Sequence, residues 1–125
     1  IGEEVEKAMK FTMREFPEVE LVEFTVAPQV TPANGLPHHE WLVEFANPPH
    51  DKAAFVSALD KHLRDLNVYY DDLISGSILR PLELTGLRRN AFVDYMKSQG
   101  KLGGQNKVPR LSNDRKIADV LGRYL

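Results

Sequence analysis

Val5, Ala8, Met9, Thr12, Met13 and Phe16 recur at helical spacing with charges between them, and Pro17 ends the run. Glu3 and Glu4 stand where the positive end of a helix dipole favours acids, so the pattern predicts an amphipathic helix over residues 3–16. The period then changes to two. Val22, Phe24 and Val26 point one way, Glu23 and Thr25 the other, which predicts a half-buried strand. Pro28 to Pro37, with its Asn34-Gly35 pair, is a loop. His39, Trp41, Val43 and Phe45 then alternate with His38, Glu40, Leu42 and Glu44 in a second strand, antiparallel to the first.

Asn47-Pro48-Pro49 stops that strand, and Asp51 suits the cap of a helix whose apolar stripe is Phe55, Val56, Leu59, Leu63 and Leu66. Residues 67–76 read as a helical extension or an ordered turn. Leu79 to Leu87 is a third strand with Leu82 and Leu84 inward, and Pro81 assigns it to an edge or to the strand's beginning. Asn90 as N-cap and Gly100 as C-terminal stop frame a helix carrying Phe92, Tyr95 and Met96. Residues 101–111 form a loop, after which Ser112 or Asn113 caps a last helix with Ile117, Val120, Leu121 and Tyr124 on one face. The order α-β-β-α-β-α-α predicts an α+β domain, a small, mainly antiparallel three-stranded sheet with helices packed on it.

Composition narrows the picture in three places. The 125 residues suit one domain, and 42% hydrophobic residues suffice for a core without staples. There is no cysteine, which excludes disulfides and cysteine–zinc sites and agrees with a reducing cytosol, so a cytoplasmic location is expected. The sequence shows no secretory signal and no apolar run long enough to cross a bilayer, and because it opens on Ile1 a natural start further upstream is expected. The net charge of −2 argues against a general nucleic-acid binder. Its distribution is uneven: residues 1–96 carry nine Lys/Arg against sixteen Asp/Glu, residues 97–125 seven against two. The tail is therefore where an anionic partner is expected.

The tail also holds the most informative segment, Lys101 to Arg110. Gly103 and Gly104 free the backbone to approach a ligand closely, and Gln105 and Asn106 offer amide donors and acceptors. Lys107 is a flexible point charge and Arg110 a planar fork, both suited to phosphate or carboxylate. The plainer alternative is a solvated basic turn between two helices. The spacing is not that of a Walker A loop, which needs glycine directly before the lysine. Elsewhere, His38 and Glu40 share a strand face and so could share an ion, but half-buried strand histidines explain them as well. His50 and His62 read as surface residues, Asp71-Asp72 as a solvated acidic patch, and Tyr69-Tyr70 and Trp41 as packing residues. The serines lack a nucleophile-elbow context, so no self-sufficient active site is visible.

The run from Gly100 to Arg115, Gly-Lys-Leu-Gly-Gly-Gln-Asn-Lys-Val-Pro-Arg-Leu-Ser-Asn-Asp-Arg, resembles the C-terminal signature of the auxin-responsive Gretchen Hagen family, whose members carry a similar Gln-x-Lys-x-Pro-Arg segment. His39 to Phe45 is similar to the family's second strand in this domain; Thr25 to Pro28, and Leu66-Asn67 with Tyr70, also fit. Gly2-Glu3-Glu4-Val5 resembles the step after the interdomain hinge of adenylate-forming enzymes, so the resemblance spans nearly the whole chain. One departure is Leu73-Ile74-Ser75, which stands where the family often has a basic residue.

The resemblance implies a mobile C-terminal cap, inactive as this fragment alone. It would close over a large N-terminal domain of the same polypeptide that binds ATP, Mg²⁺ and a carboxylic acid substrate. It implies formation of an acyl adenylate, then transfer of the acyl group, in characterised plant members to an amino acid. By position in the run, Lys107 matches the adenylation lysine. Gln105 would position the loop, with Gly103, Gly104 and Asn106 beside it, and Arg110 would either contact phosphate or lock the loop to its own domain. The fragment itself would carry no metal and no cofactor, and neither nucleic acid nor membrane is an expected partner. Two other readings stay open: a stand-alone ligand-binding module, which would need exposed aromatic rings or an aromatic-lined pocket, and an interaction domain whose basic tail docks an acidic protein.

Overall fold

A computed structural model describes residues 2–100 and 107–125. Its elements are α1 (Gly2–Glu15), β1 (Glu20–Gln29), β2 (His38–Asn47), α2 (Lys52–Leu66), α3 (Val68–Ser75), β3 (Glu83–Leu87), α4 (Ala91–Ser98) and α5 (Lys116–Leu121). The order is the expected one, with residues 67–76 resolved into a separate helix. Asn67 makes the break: its extended backbone ends α2, and its side-chain oxygen accepts the N–H of Tyr70 at 2.9 Å to start α3. Asp51 caps α2 as expected, accepting the Ala54 N–H at 3.0 Å.

The sheet has the order β1-β2-β3. β1 and β2 are antiparallel, but β3 runs parallel to β2, so the sheet is mixed. The reason is topological: α2 and α3 carry the chain back across the sheet between β2 and β3, and such a helical crossover returns the strand in the same direction. The third strand was expected from Leu79, but β3 begins only at Glu83, two residues after Pro81.

Register assigns the two faces. Val26, Trp41 and Leu84 lie side by side, as do Phe24 and Val43, and these join Val5, Met9, Phe55, Leu59 and Leu63 of α1 and α2 in one core. Trp41 is wholly buried and stacked on Phe24 at 5.4 Å. Val22 was expected inward with Phe24 and Val26; a bulge between Leu21 and Glu23 turns it out, and it is 51% exposed.

The opposite face was expected to be the wetter one. It is covered too. Leu42, Ala27 and Leu87 meet Ala91, Phe92 and Tyr95 of α4, Ala118 and Leu121 of α5, and Val108 in a second core. Helices therefore lie on both faces, and Thr25 is as buried as its apolar neighbours.

Candidate functional site

The outer edge of β1 is where the tail meets the sheet. Val26 donates its N–H to the Arg110 carbonyl at 2.8 Å, and Ser112 donates to the Val26 carbonyl at 2.9 Å, so residues 110–112 lie as a short parallel ribbon along β1. The Thr25 hydroxyl donates to the Pro109 carbonyl at 2.6 Å, and Val108 is sunk in the second core. One residue before this clamped ribbon stands Lys107, exposed and without an ion-pair partner among the described residues. Gly103, Gly104, Gln105 and Asn106 lie outside the described residues.

Arg110 behaves differently from Lys107. Its guanidinium donates to the carboxylates of Glu6 on α1 and Glu23 on β1 and to the Phe24 carbonyl at 2.8 Å, and it lies over the Phe24 ring at 4.4 Å. The two carboxylates raise its pKa despite the burial that works against the charge. Of the two roles open to Arg110, the geometry is that of a lock to its own domain.

Arg115 is held in the same way. It donates to Glu40 at 2.7 Å, to Asp119 at 3.0 Å and to the Pro28 carbonyl at 3.2 Å. Glu40 also accepts the Thr85 hydroxyl at 2.5 Å. Glu44 is 3% exposed and takes the Asn90 N–H at 2.8 Å and the Phe92 N–H at 3.1 Å. The expected N-cap of α4, Asn90, makes no side-chain cap and has a left-handed backbone (φ 66°); the carboxylate reaching over from β2 does the capping. The expected caps of α5, Ser112 and Asn113, are likewise displaced: α5 starts at Lys116, whose N–H donates to Asp114 at 3.0 Å.

Glu23, Glu40 and Glu44 thus form a row of acids on the second face, each engaged by the chain after β3. The basic tail was expected to await an anionic partner; Arg110 and Arg115 instead find theirs within the chain. Glu6, Glu23 and Glu44 were not expected at the site from the sequence, Glu40 was considered only as a possible ion partner of His38, and Thr25 only as part of the family resemblance. The available signal was the alternation of acids along the strands against a chain end of opposite charge.

The histidines are packed into the structure more than expected. His38 is buried, with Nε2 2.8 Å from Glu83; partial burial works to raise the Glu83 pKa, but the contacts with Arg80 and His38 outweigh it and lower the pKa. His39 stacks on Tyr70 at 5.3 Å; burial, the largest cause, and the neighbouring His38 lower its pKa, against the opposing pull of Asp60. His62 was expected on the surface but is half-buried and 2.6 Å from Glu15, while His50 is exposed. Asp71 is not simply solvated, since Arg64 donates to it at 2.6 Å. Tyr70 is buried with its hydroxyl donating to Asp60, whereas Tyr69 is exposed. Among the described residues no group of three or more His, Asp or Glu is disposed to hold a metal ion, and no helix is long and apolar enough to cross a membrane.

An open groove of about 1190 Å³ runs between α2 and β3, with Val56, Leu82 and Leu84 in its wall and no aromatic ring. It adjoins β3, the sheet edge opposite Lys107.

Comparison with known proteins identifies what the tail signature belongs to. Residues 3–116 match the GH3 family C-terminal domain. The chain belongs to the GH3 family. Two similar solved structures are a GH3.15 acyl acid amido synthetase (TM-score 0.75, 17% identity) and the AtGH3.15 acyl acid amido synthetase in complex with 2,4-DB (TM-score 0.73, 16% identity). Each covers 97% of this chain, and the chain spans 23% of each of theirs. At such identity the likeness is one of fold. No curated protein matches the sequence. The match takes in α1, the sheet, α4 and the Arg110 ribbon, so the GH3 C-terminal domain includes the sheet edge that presents Lys107.

Proposed function

We propose that this chain is the mobile C-terminal domain of a longer ATP-dependent, adenylate-forming ligase of the acyl-acid amido synthetase type, and that Lys107 is the lysine it delivers to the adenylation step. The observation that carries the reading is the contrast within one GH3 signature: Lys107 is exposed at the end of a ribbon that is clamped from Val108 onward.

In this reading ATP, Mg²⁺ and a carboxylic acid substrate are bound by a large N-terminal domain of the same polypeptide. Attack of the acid's carboxylate oxygen on the α-phosphorus forms the acyl adenylate and expels pyrophosphate. Negative charge builds on the phosphoryl oxygens between acid and nucleotide. An ammonium group brought there on a rigid stem opposes that charge most strongly in the transition state, and withdraws when the domain turns for acyl transfer to an acceptor such as an amino acid. The stem's rigidity matters because a misplaced charge loses most of its effect. Arg110 supports the stem and does not touch the nucleotide.

The test is pyrophosphate exchange by the full-length polypeptide. Lys107→Ala is expected to lower the exchange rate on the order of a hundredfold or more. An unchanged rate, or exchange catalysed by residues 1–125 alone, refutes the reading.

A further inference from the structure

We infer that Glu6, Glu23 and Thr25 are positioning residues for Lys107, the two glutamates through Arg110 and Thr25 through Pro109, and that Glu6 thereby ties its placement to helix α1; this rests on the function proposed above. The three contacts come from different layers. Glu6 lies on α1, which covers the first face of the sheet, and Glu23 belongs to the acidic row of the second. Arg110 bridges the edge of β1 between them, its guanidinium over the Phe24 ring and one nitrogen on the Phe24 carbonyl.

This arrangement does what packing alone would not. A ribbon held to β1 only through Val26 is fixed at one point and free to swivel about the strand. Thr25 adds a second point at Pro109, and the guanidinium a third and fourth on side chains about seventeen residues apart in sequence, at positions 6 and 23. A planar, forked cation that engages two carboxylates and a carbonyl resists rotation, which a lysine in its place would not. The base of Lys107 is only two residues from the carbonyl that Thr25 holds. Through Glu6 and Arg110 a displacement of α1 reaches the ribbon before the lysine by a direct route, beside the packing of α1 on the sheet.

The test is a double-mutant cycle in the full-length polypeptide. Glu6→Gln with Glu23→Gln keeps shape and removes both countercharges. It is expected to lower the turnover of pyrophosphate exchange about tenfold, with the KM for ATP changed less than about twofold, since a lysine engaged only in the transition state affects turnover. Thr25→Val is expected to act in the same direction and Thr25→Ser to restore the rate. In the Lys107→Ala background the glutamate changes are expected to cost nothing further. Equal losses in both backgrounds would mean a merely structural role and overturn the inference, as would no loss beside an intact Lys107. A second readout is independent of catalysis: hydrogen exchange at the Ser112 and Val26 amides is expected to quicken at least about tenfold in the glutamate double variant. Unchanged protection there overturns the strut even if Lys107 proves essential, whereas a silent Lys107→Ala with quickened exchange overturns the function and leaves the strut.

Discussion

The two faces of the sheet are attached to their helices by different physics. On the first, Trp41, Phe24, Val26 and Val43 meet long amphipathic helices in a core with aromatic contacts such as Phe16 on Phe55 at 5.3 Å and Phe45 on Phe55 at 5.7 Å. On the second the helices are short, eight and six residues, and a smaller apolar core is supplemented by the acids Glu23, Glu40 and Glu44. Helices that short are marginal on their own and need tertiary anchors. A burial-driven face is insensitive to direction; a face tied by carboxylates fixes orientation, because each donor must meet its acceptor. It is the second kind of attachment that holds the segment presenting Lys107.

The contrast is breakable, most sharply by Trp41→Ala. Emptying that space on the first face should cost about 3–5 kcal/mol and unfold the domain as a whole, as measured by denaturant titration. A smaller loss than that of any second-face substitution would invert the comparison. Glu44→Ala is the matching change on the other side. It strips the Asn90 and Phe92 amides of their acceptor and should cost about 1–3 kcal/mol. Its hydrogen-exchange signature should be confined to α4 while α1 and α2 stay protected; a global loss would mean that the two faces are one cooperative unit.

The smallest expected effect sharpens the same difference through pH. His39 lies on the first face, where burial lowers its pKa below the ordinary 6.5. Between that lowered value and 6.5 the unfolded chain binds more protons than the folded one, so stability rises with pH across this window and is lost as pH falls through it. His39→Phe, which keeps a ring against Tyr70, should flatten this part of a stability-against-pH curve. A slope unchanged by the substitution would assign the acid sensitivity to other groups.

Much of this fold is legible residue by residue. The helical stripe of α1, the alternation of β2, the Asp51 cap and the stripe of α2 follow from periodicity and local hydrogen bonding, and the structure has each of them. Gly100 also adopts the left-handed backbone (φ 66°) that its place after α4 calls for. The signature around Lys107 is a local run too, and it was sufficient to point to the family. Where local rules failed, a distant group had taken over. Asn90 yields its capping role to Glu44, 46 residues earlier, and Val22 is turned out by a bulge that only strand pairing produces. The direction of β3 was not in its own five residues, because parallel or antiparallel is decided by how the preceding helices cross the sheet.

The sequence by itself determined the elements, their order and the chemistry available at the tail, since spacing along the chain sets which side chains share a face and which groups a loop can offer. Only the tertiary structure decided which cations are spoken for. Lys107 and Arg110 sit three residues apart in one basic run, and nothing local distinguishes them as charges. Folding brings Glu6 and Glu23 to the edge of β1, where a planar fork is held between two carboxylates while the ammonium before it remains in solvent. Electrostatic partnership depends on distance in space, and for residues 104 and 87 positions apart that distance exists only once the sheet has formed.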